Sequence, residues 1–245
     1  MSIVNKKQVV RRKRKRRVSY TIAATEKVTH DTWRLLLAGP RLEHQPGQYI
    51  VMRRIRAGEK PEPHAFSISS APRAEHLELT VKEVGDFTAT IGTTRPGETV
   101  SVDGPFGSFS YNEHDASHLV FIAGGIGITP FLSMLRDLAY RDFDRQVSLI
   151  WGNKAERDMA YRSEIETLAE QYPQFKLVHI LSEQETWEGE KGYVGAELLQ
   201  RELDFAPDSQ YFICGPAPMI DIVMQLLLDF NIPHERIHTE KFTAK

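Results

Sequence analysis

The sequence Leu119-Val120-Phe121-Ile122-Ala123-Gly124-Gly125-Ile126-Gly127-Ile128-Thr129-Pro130 decides the fold that we expect for the second half of the chain. Its apolar run predicts a buried strand, its glycines predict a tight turn, and the apolar periodicity of residues 131–138 predicts a helix. Glycines let a ligand approach the backbone closely, and a helix start offers free N–H groups, so this unit predicts a site for an anionic phosphate. Pro130 fits the first helical turn, where no N–H donor is needed.

The glycine turn alone does not identify the ligand, because it lacks the third glycine of the dinucleotide fingerprint G-x-G-x-x-G. The sequence after it continues to alternate strands and helices. We expect strands over residues 119–123, 146–151, 175–181, 210–214 and 236–239, and helices from Pro130 and over residues 161–171, 196–201 and 219–229. Several of these strands are apolar throughout, as strands are when helices cover both sheet faces. Residues 114–245 therefore predict a doubly wound α/β domain with a parallel sheet of about five strands.

Residues 18–113 show a different pattern, in which apolar and polar residues alternate over short runs. The runs occupy residues 19–24, 33–38, 49–53, 77–81 and 99–102, and turn signals such as Pro46-Gly47 and Gly104-Pro105 separate them. This spacing predicts an antiparallel β-barrel or sandwich. One helix is expected over residues 86–93, with Asp86 as its cap.

Charge is unevenly distributed along the 245 residues. Residues 1–17 carry nine of the 31 basic residues and none of the 33 acidic ones, which leaves 22 basic and 33 acidic residues in the remainder. We expect this basic tail to be disordered, and it serves either as a solubilising extension or as an attachment, through residues 6–17, to anionic lipid. No nucleic-acid partner is expected, because zinc-finger spacing and paired stacking aromatics are absent from the sequence.

The single cysteine, Cys214, excludes intramolecular disulfides and an iron–sulfur cluster held by four cysteines of this chain. No apolar run approaches the roughly 20 residues that span a bilayer, and no apolar segment of a secretory signal follows the N-terminal charges. We therefore expect a cytoplasmic protein. Cys214-Gly215-Pro216 ends a predicted parallel strand, where ligands of open α/β sheets bind, although a small buried residue before a turn explains it equally.

Two motifs in the first half bear on ligand binding only in combination with the others. His64-Ala65-Phe66-Ser67 provides an aromatic ring and polar groups that suit a flat heterocycle, but it also fits an ordinary strand with inward Phe66 and Ile68. Gly85-Asp86-Phe87-Thr88 begins the predicted helix, whose free N–H groups suit a pyrophosphate.

Taken in order, these motifs resemble those of the ferredoxin–NADP⁺ reductase superfamily over about residues 18–242. The flavin motif begins with His64, where most members have arginine. With Gly85–Thr88 it resembles the branch that contains the NADPH oxidase and ferric reductase dehydrogenase domains, although Ala65 replaces their usual proline. The resemblance implies an FAD-binding β-barrel over residues 18–113, an NAD(P)-binding domain over residues 114–245, and no metal site.

The resemblance also implies a role for each motif residue. FAD is expected to contact His64, Ala65, Phe66, Ser67, Gly85, Asp86, Phe87 and Thr88, with Phe66 on the isoalloxazine ring and Ser67 at flavin N5. The nicotinamide nucleotide is expected to contact Gly124, Gly125, Gly127, Thr129, Pro130, Cys214, Gly215 and Pro216. The expected catalytic residues are Ser67, Cys214, Glu240 and Phe242, of which Phe242 shields the flavin until nicotinamide displaces it.

The identity of the second nucleotide depends on residues after the second strand of the α/β domain. Asn153, Lys154 and Arg157 favour NADPH, because a basic loop accommodates its extra phosphate, although they also fit a solvated loop and leave NADH possible.

The implied activity is that of an FAD-dependent oxidoreductase, which takes hydride from NAD(P)H and passes single electrons to an acceptor in trans. That acceptor is expected to be a redox protein or a membrane haem partner, with the basic tail holding the enzyme at the inner face of the membrane. Two alternatives remain. One is a reductase of diffusible acceptors such as ferric chelates or free flavin, and the other is a non-catalytic nucleotide-binding or electron-carrier subunit.

Overall fold

A curled antiparallel sheet forms from the alternating runs of the first half. The computed structural model describes residues 17–55, 58 and 61–241. The six strands of this sheet are β1 (Val18–Thr29), β2 (Thr32–Ala38), β3 (Tyr49–Arg54), β4 (His64–Ser67), β5 (Leu77–Lys82) and β6 (Thr99–Phe106). They lie in the order β4-β3-β6-β1-β2-β5, with each neighbouring pair antiparallel. A bridge between Ile68 and Leu79 joins the two outer strands, so the predicted antiparallel barrel is confirmed as a curled sheet.

Alternation along these strands sends every second side chain into the interior of the curled sheet. Five of the core side chains are at most 1% exposed: those of Ile22, Leu35, Leu37, Ile50 and Leu79. Phe66 packs against this core and Ile68 is fully buried. The motif at residues 64–70 is therefore a strand with inward Phe66 and Ile68, one of the two interpretations given above.

Strand β6 is longer than the sequence pattern indicates, because it continues past Val102 to Phe106. The turn signal Gly104-Pro105 suggested an earlier end. A register shift opposite residues 49–51 of β3 lets the strand pass Pro105, which has no N–H to donate to a neighbour.

The helix predicted over residues 86–93 is divided in two. Helix α1 covers Asp86–Ala89, and a separate 3-10 turn covers Ile91–Thr93. The break follows from Thr90, whose hydroxyl donates to the carbonyl of Phe87 at 2.9 Å and so competes with the helical pattern.

The prediction that Asp86 caps this helix is wrong. The N-cap position is occupied by Gly85, with a φ of 151°, and no side chain caps the helix. Asp86 is the first helical residue, and the Thr88 hydroxyl instead accepts from the N–H of Val84 at 2.8 Å. A glycine at this position adopts a backbone conformation that an L-residue with a side chain rarely does.

The second half of the described chain forms a parallel sheet covered on both faces. Its strands are β7 (His118–Gly124), β8 (Gln146–Asn153), β9 (Phe175–Leu181), β10 (Glu190–Lys191), β11 (Gln210–Gly215) and β12 (Ile237–Lys241), in the order β10-β9-β8-β7-β11-β12. Its helices are α2 (Ile128–Ala139), α3 (Arg162–Gln171), α4 (Ala196–Glu202) and α5 (Ala217–Asp229). The predicted doubly wound fold is confirmed. The sixth strand, β10, was missed because two polar residues give no periodic signal.

Each face of the parallel sheet has its own core. Phe121 and Leu149 pack with residues of α2 and α3, whereas Ile122 and Ile150 pack with residues of α4 and α5. The strand order reverses between β7 and β11. The helix that follows β7, α2, packs on one face of the sheet, and the helix that follows β11, α5, packs on the other. Open α/β sheets bind ligands beyond the carboxyl ends of the strands at such a reversal.

A buried ion pair joins the two sheets. Glu78 of β5 is 4% exposed, and its carboxylate accepts from Arg136 of α2 at 2.7 Å and from Arg34 at 2.8 Å. Arg136 also donates to the carbonyl of Ser69 at 2.8 Å and forms a two-pronged pair with Glu164 at 2.6 and 2.8 Å. Burial alone would raise the pKa of Glu78, but the two arginines more than offset it and lower the pKa.

Replacing Glu78 with Gln is expected to destabilise the protein by about 3 kcal/mol, because Arg136 and Arg34 lose a buried counter-charge. The lowered pKa gives the sign of the pH dependence: the charged carboxylate stabilises the fold above its pKa. The difference between wild type and variant should shrink as the pH falls through that pKa. Urea unfolding at several pH values measures this difference.

Glu75→Gln is a matched control, because Glu75 lies just before the same strand and is exposed. It should change the free energy of unfolding by less than about 0.5 kcal/mol. Equal effects of the two substitutions would show that the buried pair does not hold the two sheets together.

Candidate functional site

The glycine turn lies at the reversal of the parallel sheet, as a 3-10 turn over Gly125–Gly127 that leads into α2. The helix begins at Ile128, two residues before Pro130, which still lies in its first turn. Trp151 of β8 donates its indole N–H to the carbonyl of Gly125 at 3.0 Å and so fixes the turn. Thr129 is 2% exposed, and its hydroxyl donates to the carbonyl of Ile126 at 3.1 Å.

The glycines of this turn serve two different purposes. A Cβ atom on Gly127 would lie 2.2 Å from the carbonyl oxygen of Cys214, and one on Gly124 would lie 2.6 Å from the sulfur of Met219. These two glycines therefore allow the turn to pack against the end of β11. Gly125, at a φ of +52°, has no atom within 4 Å of its Cβ position and faces open space. That space is the part of the turn available to a nucleotide.

The segment Cys214-Gly215-Pro216 ends β11 directly beside this turn. Gly215 has a φ of +156°, its Cβ position would lie 3.0 Å from Gly124 Cα, and Pro216 is the N-cap of α5. Cys214 is fully buried. Burial, together with the nearby Glu240 carboxyl, raises the pKa of the Cys214 thiol well above its ordinary value, so this thiol stays neutral.

Three of the predicted catalytic residues meet where the two domains adjoin. Cys214 of β11 pairs in register with Glu240 of β12, and the Ser67 hydroxyl at the end of β4 donates to Glu240 Oε2 at 3.5 Å. Burial raises the pKa of Glu240 to about 7, although the hydrogen bond from Ser67 opposes this shift. The arrangement places a hydroxyl, a neutral thiol and a carboxyl that titrates near neutral pH at one point. The fourth predicted residue, Phe242, lies outside the described residues.

The flavin motif forms an aromatic cluster at the other end of β4. The rings of His64 and Phe87 stack at a centroid distance of 3.7 Å, and those of Phe66 and Phe87 lie 6.2 Å apart. Ala65 points away from this cluster and is exposed. His64 Nε2 is buried and has no hydrogen-bond partner in the described part of the chain. This nitrogen lies 3.9 Å from Glu62 Oε2. A buried ring nitrogen that makes no hydrogen bond fits a site that a polar ligand completes.

Of the three residues expected to select NADPH, Asn153 is buried, whereas Lys154 and Arg157 are exposed. Strand β8 continues to Asn153 rather than ending at Trp151, because Gly152 and Asn153 keep pairing with β9. Asn153 is 7% exposed, and among the described residues neither its amide nitrogen nor its amide oxygen has a partner. Lys154 is exposed and pairs with Glu183 at 2.9 Å, and Arg157 is exposed.

Two residues that position the site were missed in the sequence. In the sequence, Trp151 is only one residue of an apolar strand. Its hydrogen bond to Gly125 depends on a turn 26 residues earlier in the chain. Arg54 lies beside the flavin motif, with its guanidinium 4.6 Å from the centroid of the Phe87 ring. The sequence indicates only that the basic pair Arg53-Arg54 lies at the end of a predicted strand.

Comparisons with known proteins agree with this geometry. Residues 19–111 match the model of an oxidoreductase FAD-binding domain, and residues 121–225 match that of an oxidoreductase NAD-binding domain. NADH-cytochrome b5 reductase 1 of Candida glabrata is 30% identical over 230 residues, covering 89% of this chain and 80% of the relative. The chain belongs to the ferredoxin–NADP⁺ reductase superfamily. It is an FAD-dependent NAD(P)H oxidoreductase, which favours the enzyme over a non-catalytic subunit.

Two further comparisons extend this finding. The plasma membrane-associated coenzyme Q6 reductase of Saccharomyces cerevisiae is 30% identical over 189 residues, and the chain spans 61% of its length. A ferredoxin NADP⁺ reductase from Neisseria gonorrhoeae, with bound FAD and NADP, has the same fold, with a TM-score of 0.81, 22% identity and coverage of 92% of this chain and 98% of that one. The narrower resemblance to the NADPH oxidase branch stays a prediction, as does the domain boundary after residue 113.

Replacing Glu240 with Gln is expected to change how stability depends on pH. A raised carboxyl pKa means that the unfolded chain gives up its proton at lower pH than the folded protein does. Wild-type stability should therefore fall as the pH rises from the ordinary glutamate pKa to about 7. The loss is on the order of 2 kcal/mol between about pH 5 and pH 8. Thermal or urea unfolding across this range should show that the loss is absent in Glu240→Gln.

Glu235→Gln provides the control, because Glu235 is exposed and lies just before the same strand. Its pH dependence should follow that of the wild type. A Glu240→Gln variant that keeps the full wild-type dependence would mean that this carboxyl does not titrate near neutral pH.

Proposed function

We propose that the point where Ser67, Cys214 and Glu240 meet is the site at which this reductase transfers hydride from a nicotinamide nucleotide to FAD. The observation that carries the proposal is the hydrogen bond from Ser67 to Glu240, which connects a strand of the curled sheet to the last strand of the parallel sheet. Hydride transfer requires two flat rings held face to face with little water between them, so a site at the junction of two binding domains suits it.

His64, Phe66 and the backbone of Gly85–Thr88 would hold FAD, and Gly125, Gly127 and Cys214-Gly215-Pro216 would hold the nicotinamide nucleotide. Two observations support this division: among the described residues His64 Nε2 makes no hydrogen bond, and the Cβ position of Gly125 faces open space. The proposed contacts of Ala65, Asp86, Thr129 and Pro130 are through the backbone. The Asp86 carboxylate would repel a phosphate, and the Thr129 hydroxyl already donates its proton to the carbonyl of Ile126. Bound FAD accepts a hydride and releases its electrons singly.

The chain's own residues control the proton and the solvent at this point. Ser67 is 5% exposed, and its hydroxyl donates to Glu240 Oε2 at 3.5 Å, the long end of the hydrogen-bonding range. Glu240, with a pKa of about 7, gains or loses a proton at little cost near neutral pH. Cys214 fills the adjoining space with a neutral, fully buried thiol, which brings no charge next to a moving hydride.

NADH is the proposed donor, in contrast to the preference for NADPH expected from the sequence. The ammonium group of Lys154 is already paired with the Glu183 carboxylate, which reduces the attraction for an extra phosphate. The relatives named above as NADH-cytochrome b5 reductase also support this choice.

Anaerobic titration with NADH and with NADPH, followed by flavin absorbance, tests the donor and the activity together. We expect both nucleotides to bleach the flavin, and NADH to do so with a second-order rate constant of flavin reduction about tenfold higher than that of NADPH. Replacing Glu183 with Ala should release Lys154 and so narrow the difference between NADH and NADPH in the rate of flavin reduction. Glu185→Ala, at an exposed position two residues away, should leave this difference unchanged. Absence of flavin reduction by either nucleotide would contradict the proposed function.

The proposed acceptor is a separate one-electron carrier, either a redox protein or a membrane haem protein. Relatives are named as reductases of cytochrome b5 and of coenzyme Q6, and the latter is named as plasma membrane-associated. No helix among the described residues is long and apolar enough to cross a membrane. The proposed attachment to a membrane surface is through residues 6–17, of which residues 6–16 lie outside the described range. The basic charge of these residues suits anionic headgroups at the inner face of the membrane.

Deleting residues 1–17 is expected to abolish sedimentation with vesicles that contain phosphatidylserine, because about 1 kcal/mol of attraction per basic residue is lost. Flavin reduction by NADH should be unchanged, since the deleted segment precedes the curled sheet. Vesicles of phosphatidylcholine alone serve as the control for charge. Equal vesicle binding with and without the segment would refute its role in attachment.

A further inference from the structure

Three side chains that can bind a metal ion converge where the turn between β1 and β2 meets the second domain. His30 and Asp31 form that turn, and Asp158 ends the 3-10 turn Glu156–Asp158 that follows β8. One ligand atom of each residue lies within 4.8 Å of the other two. Within the described ranges, 17–55, 58 and 61–241, this is the only such group of histidine, cysteine or carboxylate side chains. Its members come from both domains.

The orientation of His30 leaves one ring nitrogen available to a cation. Its Nδ1 lies 3.4 Å from the carbonyl oxygen of Arg157, at the long end of the hydrogen-bonding range. Because a carbonyl oxygen only accepts, Nδ1 carries the proton in this contact, and in the neutral ring Nε2 keeps its lone pair. Histidines that bind metals commonly donate their other ring N–H to a backbone carbonyl in this way.

Each carboxylate has one oxygen held by its own turn and the other directed at His30. Asp31 Oδ1 accepts from the hydroxyl of Thr32 at 3.1 Å. Asp158 Oδ2 accepts from the N–H of Ala155 at 3.0 Å. The remaining oxygens, Asp31 Oδ2 and Asp158 Oδ1, lie 3.4 and 3.7 Å from Nε2 of His30. A lone pair that faces two carboxylate oxygens is repelled by them unless a cation or a proton lies between.

The separations suit a small divalent ion that takes both nitrogen and oxygen ligands. Zinc binds histidine nitrogen and carboxylate oxygen at about 2.0–2.2 Å, so neighbouring ligands of a tetrahedral site lie about 3.3–3.6 Å apart. The observed 3.4 and 3.7 Å are close to that range. Magnesium and calcium prefer oxygen ligands, so the imidazole favours zinc. The side chain of His30 is 49% exposed, which leaves the fourth position accessible to water.

A positive charge already lies beside this cluster and competes with a metal ion. Lys82 of β5 places its ammonium 3.0 Å from Asp31 Oδ2, the same oxygen that faces His30. Two carboxylates and one ammonium leave the cluster with a net negative charge while the imidazole is neutral. The ammonium is carried on a flexible four-carbon stem, so it can move aside without a change in the backbone. Zinc would therefore bind here against the charge of Lys82, and more tightly without it.

We propose that His30, Asp31 and Asp158 form a zinc site, which ties the turn between β1 and β2 to the 3-10 turn after β8 and so links the two domains. This differs from the absence of a metal site implied by the sequence resemblance. None of the three residues belongs to the flavin motif or to the proposed hydride-transfer site, so the inference does not depend on the proposed function. The ion has no part in hydride transfer.

Isothermal titration calorimetry with zinc tests the site on the full-length flavoprotein, purified without a histidine tag and treated with EDTA. We expect one zinc ion to bind per chain. At a zinc concentration 100 times the measured Kd, the melting temperature should rise by about 5–10 °C, because the ion stabilises the folded chain that holds the site. Magnesium at the same concentration should leave the melting temperature unchanged.

Three substitutions at the cluster and one outside it identify the ligands. Asp158→Asn and His30→Gln should each raise the Kd of zinc by at least about tenfold, since each removes a ligand. Lys82→Gln should lower the Kd, because it removes the competing ammonium. His234→Gln is the matched control, because His234 is exposed and lies outside the cluster, and it should leave the Kd unchanged.

The competing interpretation is that a protonated imidazole of His30 bridges the two carboxylates as an ion pair. In that case zinc would not raise the melting temperature of the wild type, and this result would overturn the inference. Equal Kd values for zinc in wild type, His30→Gln and Asp158→Asn would overturn it as well, because zinc would then bind elsewhere. An equal rise in melting temperature with magnesium would show screening of charge rather than a zinc site.

Discussion

The buried pair between Glu78 and Arg136 is the contact on which the geometry of the candidate site depends. It fixes the curled sheet against α2, the helix that follows the glycine turn. Ser67 lies near the end of β4 and Glu240 lies on β12, so their separation is set by how the two sheets are joined. Neither sheet alone contains a site that brings the two cofactors together.

Close backbone packing provides the second constraint. Gly124, Gly127 and Gly215 are required because the glycine turn and the end of β11 touch each other, and larger residues would separate them. Among the glycines of this turn and of the end of β11, Gly125 alone faces open space at its Cβ position. The glycines of this region therefore serve the close packing of two segments of the chain as much as they serve access for a nucleotide.

Much of the fold follows from local sequence patterns. Apolar runs, turn residues and helical periodicity predict both sheets, the long strands and the helices, because these depend on neighbours along the chain. The predicted boundaries are wrong where contacts distant in sequence, or single side chains, determine where a strand or helix begins and ends. Strand β10 depends on pairing with β9, the break after Ala89 depends on the Thr90 hydroxyl, and β6 passes Pro105 only through a register shift against β3.

The sequence motifs predict which residues form the candidate site, but they do not predict the ionisation and pairing of those residues. The motifs identify Ser67, Cys214 and Glu240, whereas the titration of Glu240 near pH 7 results from burial that no local pattern records. The pairing of Lys154 with Glu183 is likewise invisible in the sequence and alters the expectation about the donor. The place of Arg54 beside the Phe87 ring was overlooked because it depends on how β3 pairs with its neighbouring strand.

The most direct test of the central claim is stopped-flow reduction of the bound flavin by NADH deuterated at the transferred position, with wild type and Ser67→Ala. A shared hydride-transfer site at Ser67, Cys214 and Glu240 predicts a primary isotope effect in wild type. It also predicts flavin reduction at least about tenfold slower in Ser67→Ala, with NADH binding little changed. An unaltered reduction rate in the variant, or no isotope effect in either protein, would contradict the assignment of hydride transfer to this site.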